Sequence, residues 1–305
     1  MALMRAQRRP AAFIVPAGCD TIDADDRSRR TRNTMDKSET PVVFHPLMIT
    51  ALLLALVAVL ASIHALYTLS ATWRFTLETR PGELVYAAGF DGFSDEWEQS
   101  SGRRAAEMVD GVMRLSVEAE GSGVFTPALP VLEDFDLTVT ARAVGGPVDN
   151  SFGVVFRLVD ARSYYAFYIS SDGYYKVERS VDGAQKELSK WIASDAIRLT
   201  DDADGSGTID AGEAADNVLR VVADGDRFQF YVNGTRLALC IPDDPDAAST
   251  YSAGTCFGGQ MRDTLVDSAL TAGRIGLGAV TTPTGGPGVI VDFDNLAVFG
   301  PDPIE

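Results

Sequence analysis

Histidine is almost missing from this chain, with two residues, His45 and His64, in 305. Both lie in or beside a single apolar segment, and the polar remainder holds none. That absence excludes a Ser-His-Asp or Cys-His catalytic set there, together with every zinc site built on imidazole. Chemistry in this part must come from carboxylates, Tyr, Lys, Arg or a hard metal ion. Cysteine is nearly as scarce: Cys19, Cys240 and Cys256 only. Basic charge is also short. Residues 1–45 carry eight Lys/Arg and six Asp/Glu, leaving 18 basic against 37 acidic groups beyond them, a net of −19. A surface this acidic repels nucleic acid and anionic lipid headgroups, so neither is an expected partner.

What is present begins with an apolar run. Residues 1–45 are polar, rich in Arg and Asp and without periodicity, and read as a disordered tail, with Met35 an alternative start. From Pro46 to Leu69 there follows PLMITALLLALVAVLASIHALYTL, which holds no charged residue. About 20 residues at roughly 1.5 Å each cross a hydrocarbon core of about 30 Å, so 46–69 reads as a transmembrane helix. Arg27, Arg29, Arg30, Arg32 and Lys37 precede it closely, whereas Arg74 and Arg80 follow. The positive-inside rule then expects a single-pass protein of the cell membrane, N-terminus cytoplasmic and C-terminal body extracellular. A cleaved signal peptide is the rival, with small residues near Ala65 or Ala71. Residues 70–84 read as a linker.

The rest is a succession of short strand patterns. The stretch 152–180 is the clearest, three β-branched and aromatic segments joined by Asp160–Ser163 and Ser171–Gly173. Alternation places Phe152, Val154, Phe156 and Leu158 on one face, with Val155 and Arg157 on the other; Tyr165, Phe167 and Ile169 likewise oppose Tyr164, Ala166, Tyr168 and Ser170. Further strands are expected near 85–90, 112–118, 123–126, 135–143, 185–191, 217–224, 227–232, 235–239, 273–281 and 289–298. The one helical pattern is Met261–Leu270. Many short strands between Gly, Asp and Asn turns argue an all-β jelly-roll sandwich over 85–300, with a 301–305 tail.

The motifs FDGFSDEW (90–97), VDGVMRLSV (109–117), NVLRVVADGDRFQFYVNGTRL (217–237), GRIGLGA (273–279) and VDFDNLAVF (291–299) follow the meander's pattern in a fixed order. Together the chain resembles a concanavalin A-like lectin/glucanase jelly roll, closest to laminin-G-like and 3-keto-disaccharide-hydrolase-like members. The resemblance implies a lectin-like module binding glycans or surface partners. It leaves a glycoside hydrolase of the 3-keto-disaccharide type, or a structural and adhesive ectodomain, as alternatives.

Within an insertion at 198–216 lies the sharpest local motif, DADGSGTIDAGE from Asp202 to Glu213. Oxygen-bearing residues at positions 1, 3, 5, 7, 9 and 12, Gly at 6 and an apolar residue at 8 match an EF-hand loop. A hard Ca²⁺ takes six to eight oxygens, so Asp202, Asp204, Ser206, Thr208 (through its carbonyl), Asp210 and Glu213 are the expected ligands. The flanks look like strands rather than helices, so the expected role is structural. An acidic turn that binds nothing is the alternative.

A second insertion, 240–272, is bracketed by Cys240 and Cys256. Outside a cell two such cysteines suggest a disulfide, the alternative being two free thiols. For catalysis, the Glu-x-Asp-x-x-Glu signature of laminarinase-type chains is missing, which leans away from an enzyme. Glu133, Asp134 and Asp136 look like turn residues, Asp292, Asp294 and Asn295 like an edge feature, and Glu178 beside Lys176 like a solvated strand face. For binding, Arg157, Tyr164, Tyr168 and Tyr174 are expected on one outward face, since rings stack on sugar C–H faces and Arg forks onto oxygens. Trp191 and Trp97 extend that platform or belong to the core.

Overall fold

The computed structural model describes residues 46–92, 94–200, 206–209 and 215–305. A single helix, α1 (Pro46–Phe75), precedes the strands. Its segment Pro46–Tyr67 is long and apolar enough to cross a membrane. The strands follow as β1 (Leu84–Ala88), β2 (Arg104–Val109), β3 (Val112–Val117), β4 (Gly123–Leu132), β5 (Phe135–Pro147), β6 (Asn150–Asp160), β7 (Ser163–Ile169), β8 (Tyr174–Val181) and β9 (Ala184–Ala193). Next come β10 (Thr208–Ile209), β11 (Asn217–Asp224), β12 (Arg227–Val232), β13 (Thr235–Arg236), β14 (Leu239–Pro242), β15 (Tyr251–Ser252) and β16 (Thr255–Cys256). The last four are β17 (Gly259–Arg262), β18 (Leu265–Val266), β19 (Gly273–Thr281) and β20 (Val289–Phe299).

Two antiparallel sheets make a jelly-roll sandwich. One has six strands in the order β4-β19-β6-β7-β8-β9. The other follows β13-β12-β11-β5-β20-β3-β2, with β1, β10 and β18 added at its margins. Alternation decides what lies between them. In β5, Phe135, Leu137, Val139 and Ala141 are buried while Asp136, Thr138, Thr140 and Arg142 face out. Phe156 stacks on Tyr165 of the neighbouring strand at 5.3 Å and, across the gap, meets Phe135, Phe228 and Phe230 at ring separations of 5.6–6.1 Å. Each such ring removes a large apolar area from water and fixes its neighbours by edge and offset contacts.

One break in the alternation alters the expected faces. Register shifts between Phe156 and Asp160, and Arg157 has φ of 46°, a conformation costly for a residue with a Cβ. The bulge turns Leu158 outward to join Val155, Tyr164 and Tyr168. Arg157 turns the opposite way and is buried among turns at one end of the sandwich. A two-residue period cannot reveal an extra residue in the strand.

One further expectation is corrected. Met261–Leu270 is not helical: Gly259–Arg262 pairs with Leu239–Pro242, and Leu265–Val266 pairs with Arg227–Phe228. A hairpin closed by the Cys240–Cys256 disulfide leaves no room for a helix there; the two Cα atoms are 5.4 Å apart. The insertion also covers the free edge of β9. Ser249 N–H donates to the Glu187 carbonyl (3.0 Å), and Lys186 Nζ to that of Pro245 (2.5 Å). An uncovered edge of this kind would offer unpaired backbone groups to other chains. Residues 76–83 run against the sandwich. Thr76 bridges to Val131, Leu77 N–H donates to the Val131 carbonyl at 3.0 Å, and Pro81 bridges to Gly300.

Candidate functional site

The outer face of the six-stranded sheet carries the residues that sequence reasoning favoured. Strand register lines up Phe125, Gly278, Gly153, Tyr168 and Lys176 in one row across five strands. The next row holds Pro127, Gly276, Val155, Ala166, Glu178 and Glu187. Gly278, Gly153 and Gly276 thus leave space in the middle of the face. A Cβ at Gly278 would come within 3.0 Å of the Phe125 ring, so glycine there lets the ring settle against the sheet. Phe125 meets Tyr164 edge-on with centroids 5.1 Å apart.

Tyr164 and Tyr168 form the floor of this face rather than its rim. Tyr168 is 1 % exposed, and its buried hydroxyl has no hydrogen-bond partner among the described residues. Burial drives its pKa well above the ordinary tyrosine value, with Glu178 and Tyr164 adding to the effect. Burial, then Glu178, also raises Tyr164, against a hydrogen bond with Gln185. Both phenols therefore stay neutral. Above them, Lys176 Nζ lies 5.6 Å from the Tyr168 ring centre and 5.1 Å from that of Trp191. The same ammonium donates to Glu178 Oε2 at 2.7 Å. A lysine has three N–H donors and a carboxylate about four acceptor positions, so this pair retains capacity for hydroxyl groups after satisfying each other. Trp191, half-buried, supplies an accessible ring, and Tyr174 stands 41 % exposed at the start of β8.

Other expected residues lie elsewhere. Arg157 is removed from this face: its guanidinium donates to the carbonyls of Leu270 (2.8 Å), Glu133 (2.9 Å) and Gly225 (2.5 Å), and covers the Phe228 ring at 4.7 Å. It ties three turns together and has no fork left for a ligand. Trp97 is a core residue, packed edge-on against Phe90 at 5.3 Å. Asp136 is forked by Arg220 and Asp292 by Arg114, both on the outer face of the larger sheet. There Asp292, Asp294 and Asn295 line a 190 Å³ hollow with Thr140, Arg142 and Asp216, the last two again forked at 2.6 and 2.9 Å. Sequence reasoning missed Glu187, which faces Glu178 across β8–β9; the pairing was hidden because these glutamates belong to different strands.

Behind the aromatic face a polar cluster holds the 265–272 segment. Asp267 accepts from the Tyr165 hydroxyl at 2.5 Å and from Arg179 at 2.5 and 2.8 Å. Burial alone would raise the Asp267 pKa, but bonds from Arg179 and Tyr165 outweigh it and hold the carboxyl below its ordinary value.

Of the expected metal ligands, Asp202, Asp204, Asp210 and Glu213 lie outside the described residues. Ser206 and Thr208 are described, with Ser206 Oγ 3.5 Å from the Thr208 carbonyl and accepting from the Thr208 N–H at 3.2 Å. Gly207 has φ of 75°. Thr208 and Ile209 pair with Pro147 and Gly146, and Ile209 is buried in the core. Two oxygens turned to one side, a left-handed glycine between them and an apolar residue pinned to a strand fit the central part of a calcium loop. Among the described residues no group of three His, Cys, Asp or Glu is arranged to hold a metal.

No protein-family model matches this chain, and no curated protein matches it. Among solved structures it is similar to carbohydrate binding module CBM66 from Bacillus subtilis, at 15% identity over 67% of this chain and 96% of that one, TM-score 0.44. A Bacillus licheniformis beta-glucanase matches at 12% identity over 73% and 99%, TM-score 0.43. A Bacillus subtilis protein of unknown function with a galectin-like fold matches at 14% over 73% and 98%, TM-score 0.42. Likenesses at this level carry no argument about what this chain binds or cleaves.

Proposed function

We propose that this chain is a membrane-anchored glycan-binding module whose ligand lies on the outer face of the six-stranded sheet. The observation that carries the reading is the row from Phe125 to Lys176, roofed by Trp191 and ending in the Lys176–Glu178 pair. Rings stack on the C–H faces of a pyranose, while the mutually neutralised ion pair offers donors and acceptors to its hydroxyls. A net charge of −19 beyond residue 45 disfavours polyanionic glycans, so the expected ligand is neutral. The full chain in detergent micelles, screened on a glycan array, is expected to retain neutral oligosaccharides. An array without signal overturns the reading.

A cleavage reading draws on one observation, Glu178 opposite Glu187, because glycoside hydrolysis uses two carboxylates. Release of reducing ends from a bound oligosaccharide, lost in Glu178→Gln with binding kept, would replace the binding reading by this one.

The anchor is Pro46–Tyr67, with the N-terminus cytoplasmic and the sandwich outside; the cysteine pair suits that compartment. The loop 202–213 holds Ca²⁺ through Asp202, Asp204, Ser206, the Thr208 carbonyl, Asp210 and Glu213, and clips β9 to β11. Millimolar Ca²⁺ is expected to raise the melting temperature by several degrees and EGTA to reverse it; an unchanged melting curve contradicts the site.

A further inference from the structure

Among the described residues four buried side-chain nitrogen or oxygen atoms have no hydrogen-bond partner: Trp97 Nε1, Arg179 Nε, Arg227 Nε and Tyr168 Oη. Three of them belong to the fold. Arg179 and Arg227 bond through their other nitrogens, to Asp267 and to the Glu305 backbone oxygen, and Trp97 is packed in the core. Tyr168 Oη differs in its place. It belongs to the outer face of the six-stranded sheet, in the row that runs from Phe125 to Lys176.

The strand register explains why this hydroxyl is left over. Directly across the two ladders stand Gly153, which has no side chain, and Lys176, whose ammonium is engaged by Glu178. Along β7 the next residues on the same face are Ala166, with no polar atom, and Ser170. The Ser170 Oγ already donates to Asp172 and accepts from the Tyr174 N–H at 3.2 Å. A hydroxyl sealed from water without a partner costs its full desolvation, and phenylalanine would bury the same ring without that cost. Its contribution therefore belongs to another state of the face.

The cover over Tyr168 is able to move. It is the Lys176 side chain, with Nζ 5.6 Å from the ring centre, and Trp191 beyond it. The Lys176 and Glu178 side chains are 18 % and 15 % exposed, so their pair reaches solvent. An ion pair in contact with water holds a flexible four-carbon stem only weakly. Beneath it the phenol stays protonated, since burial raises its pKa, and it is able both to donate and to accept.

We propose that Tyr168 is a hydrogen-bonding residue of the glycan site: Lys176 swings aside as the ligand enters, and a sugar hydroxyl takes the bond that Tyr168 lacks in the free chain. The proposal rests on the binding reading. It makes the face selective for a ligand that brings a hydroxyl to this point, because one without it leaves the phenol unpaired.

The probe is the neutral oligosaccharide that binds the full chain in detergent micelles most tightly, the hexamers of glucose, xylose and N-acetylglucosamine included. It is titrated into the parent, Tyr168→Phe and Trp191→Ala, and each chain is melted without ligand. Tyr168→Phe is expected to melt no lower than the parent and to bind at least threefold more weakly. Affinity within threefold, with Trp191→Ala weakened, overturns the inference and leaves the binding reading standing. A Tyr168→Phe chain that melts lower has lost a bond the free fold already makes, which overturns the inference at any affinity. A parent that binds no neutral oligosaccharide overturns the binding reading, and the inference with it.

Discussion

The two outer faces of this sandwich share strand geometry and differ in what their side chains have left to offer. On the larger sheet, charges are consumed locally. Arg114 forks Asp292, Arg142 forks Asp216, Arg220 forks Asp136, and Arg236 reaches Asp263 at 2.8 Å. Tyr231, on β12, is already flanked by the guanidiniums of Arg220 and Arg236 at 4.8 and 5.7 Å. On the six-stranded sheet the Lys176–Glu178 pair stands beside aromatic rings and the glycines of β6 and β19. A guanidinium that has spent its fork on a neighbouring carboxylate is a structural element. The pair at Lys176 and Glu178 keeps free hydrogen-bonding capacity, so the same residue types serve cohesion on one face and recognition on the other.

Arg157 is the residue through which that difference is most easily broken, because the bulge takes it off the aromatic face and buries it. Arg157→Met leaves three carbonyls without donors and is expected to cost roughly 3 kcal/mol in urea unfolding, with Arg157→Lys intermediate. A loss below 1 kcal/mol would mean the turns hold without it. Asp267 comes next. Its pKa is depressed in the folded protein, so its contribution is fully present above the unfolded carboxylate value and lost as pH falls through the folded one. Stability is therefore expected to decline below the ordinary carboxylate range. Asp267→Asn should lower it by about 1–2 kcal/mol at neutral pH and flatten that acid limb. An unchanged limb would remove Asp267 from the account. The ion-pair face should be least sensitive. Asp292→Asn, opposite a partly exposed Arg114, is expected to cost no more than about 1 kcal/mol, and less in high salt. A larger, salt-independent loss would make that face more than a solvated surface.

Much of this was legible in the sequence, and the failures have physical causes. Alternation in 164–170 placed inner and outer residues correctly because that strand runs without a bulge there. Arg157 was misplaced since apolar alternation continues through the irregularity and only the backbone dihedral departs. The segment 261–270 looked helical because nothing local records its strand partners, 239–242 and 227–228, which are distant in sequence or across a disulfide. Arg104–Val109 passed unnoticed, with Ala and Glu giving it little strand character. The lie of residues 76–83 against the sandwich was hidden for a related reason: Thr76 and Leu77 are polar and apolar residues of no special pattern, and their pairing with Val131 is a tertiary fact. In the candidate site, Tyr164, Tyr168 and Trp191 were readable as aromatic residues on a strand face. That Tyr168 sinks into the face beside Gly153, and Phe125 beside Gly278, depends on the glycines of β6 and β19, residues whose contribution is the space they leave.

The most direct measurement pits the two faces against each other in one titration. The array-selected oligosaccharide is added to the full chain, to Trp191→Ala and to Tyr231→Ala, with folding of each checked by its melting curve. Trp191→Ala is expected to weaken binding at least tenfold, about 1.4 kcal/mol, while Tyr231→Ala stays within twofold of the parent. Weakening by Tyr231→Ala with Trp191→Ala unaffected would place the ligand on the ion-pair face and contradict the account.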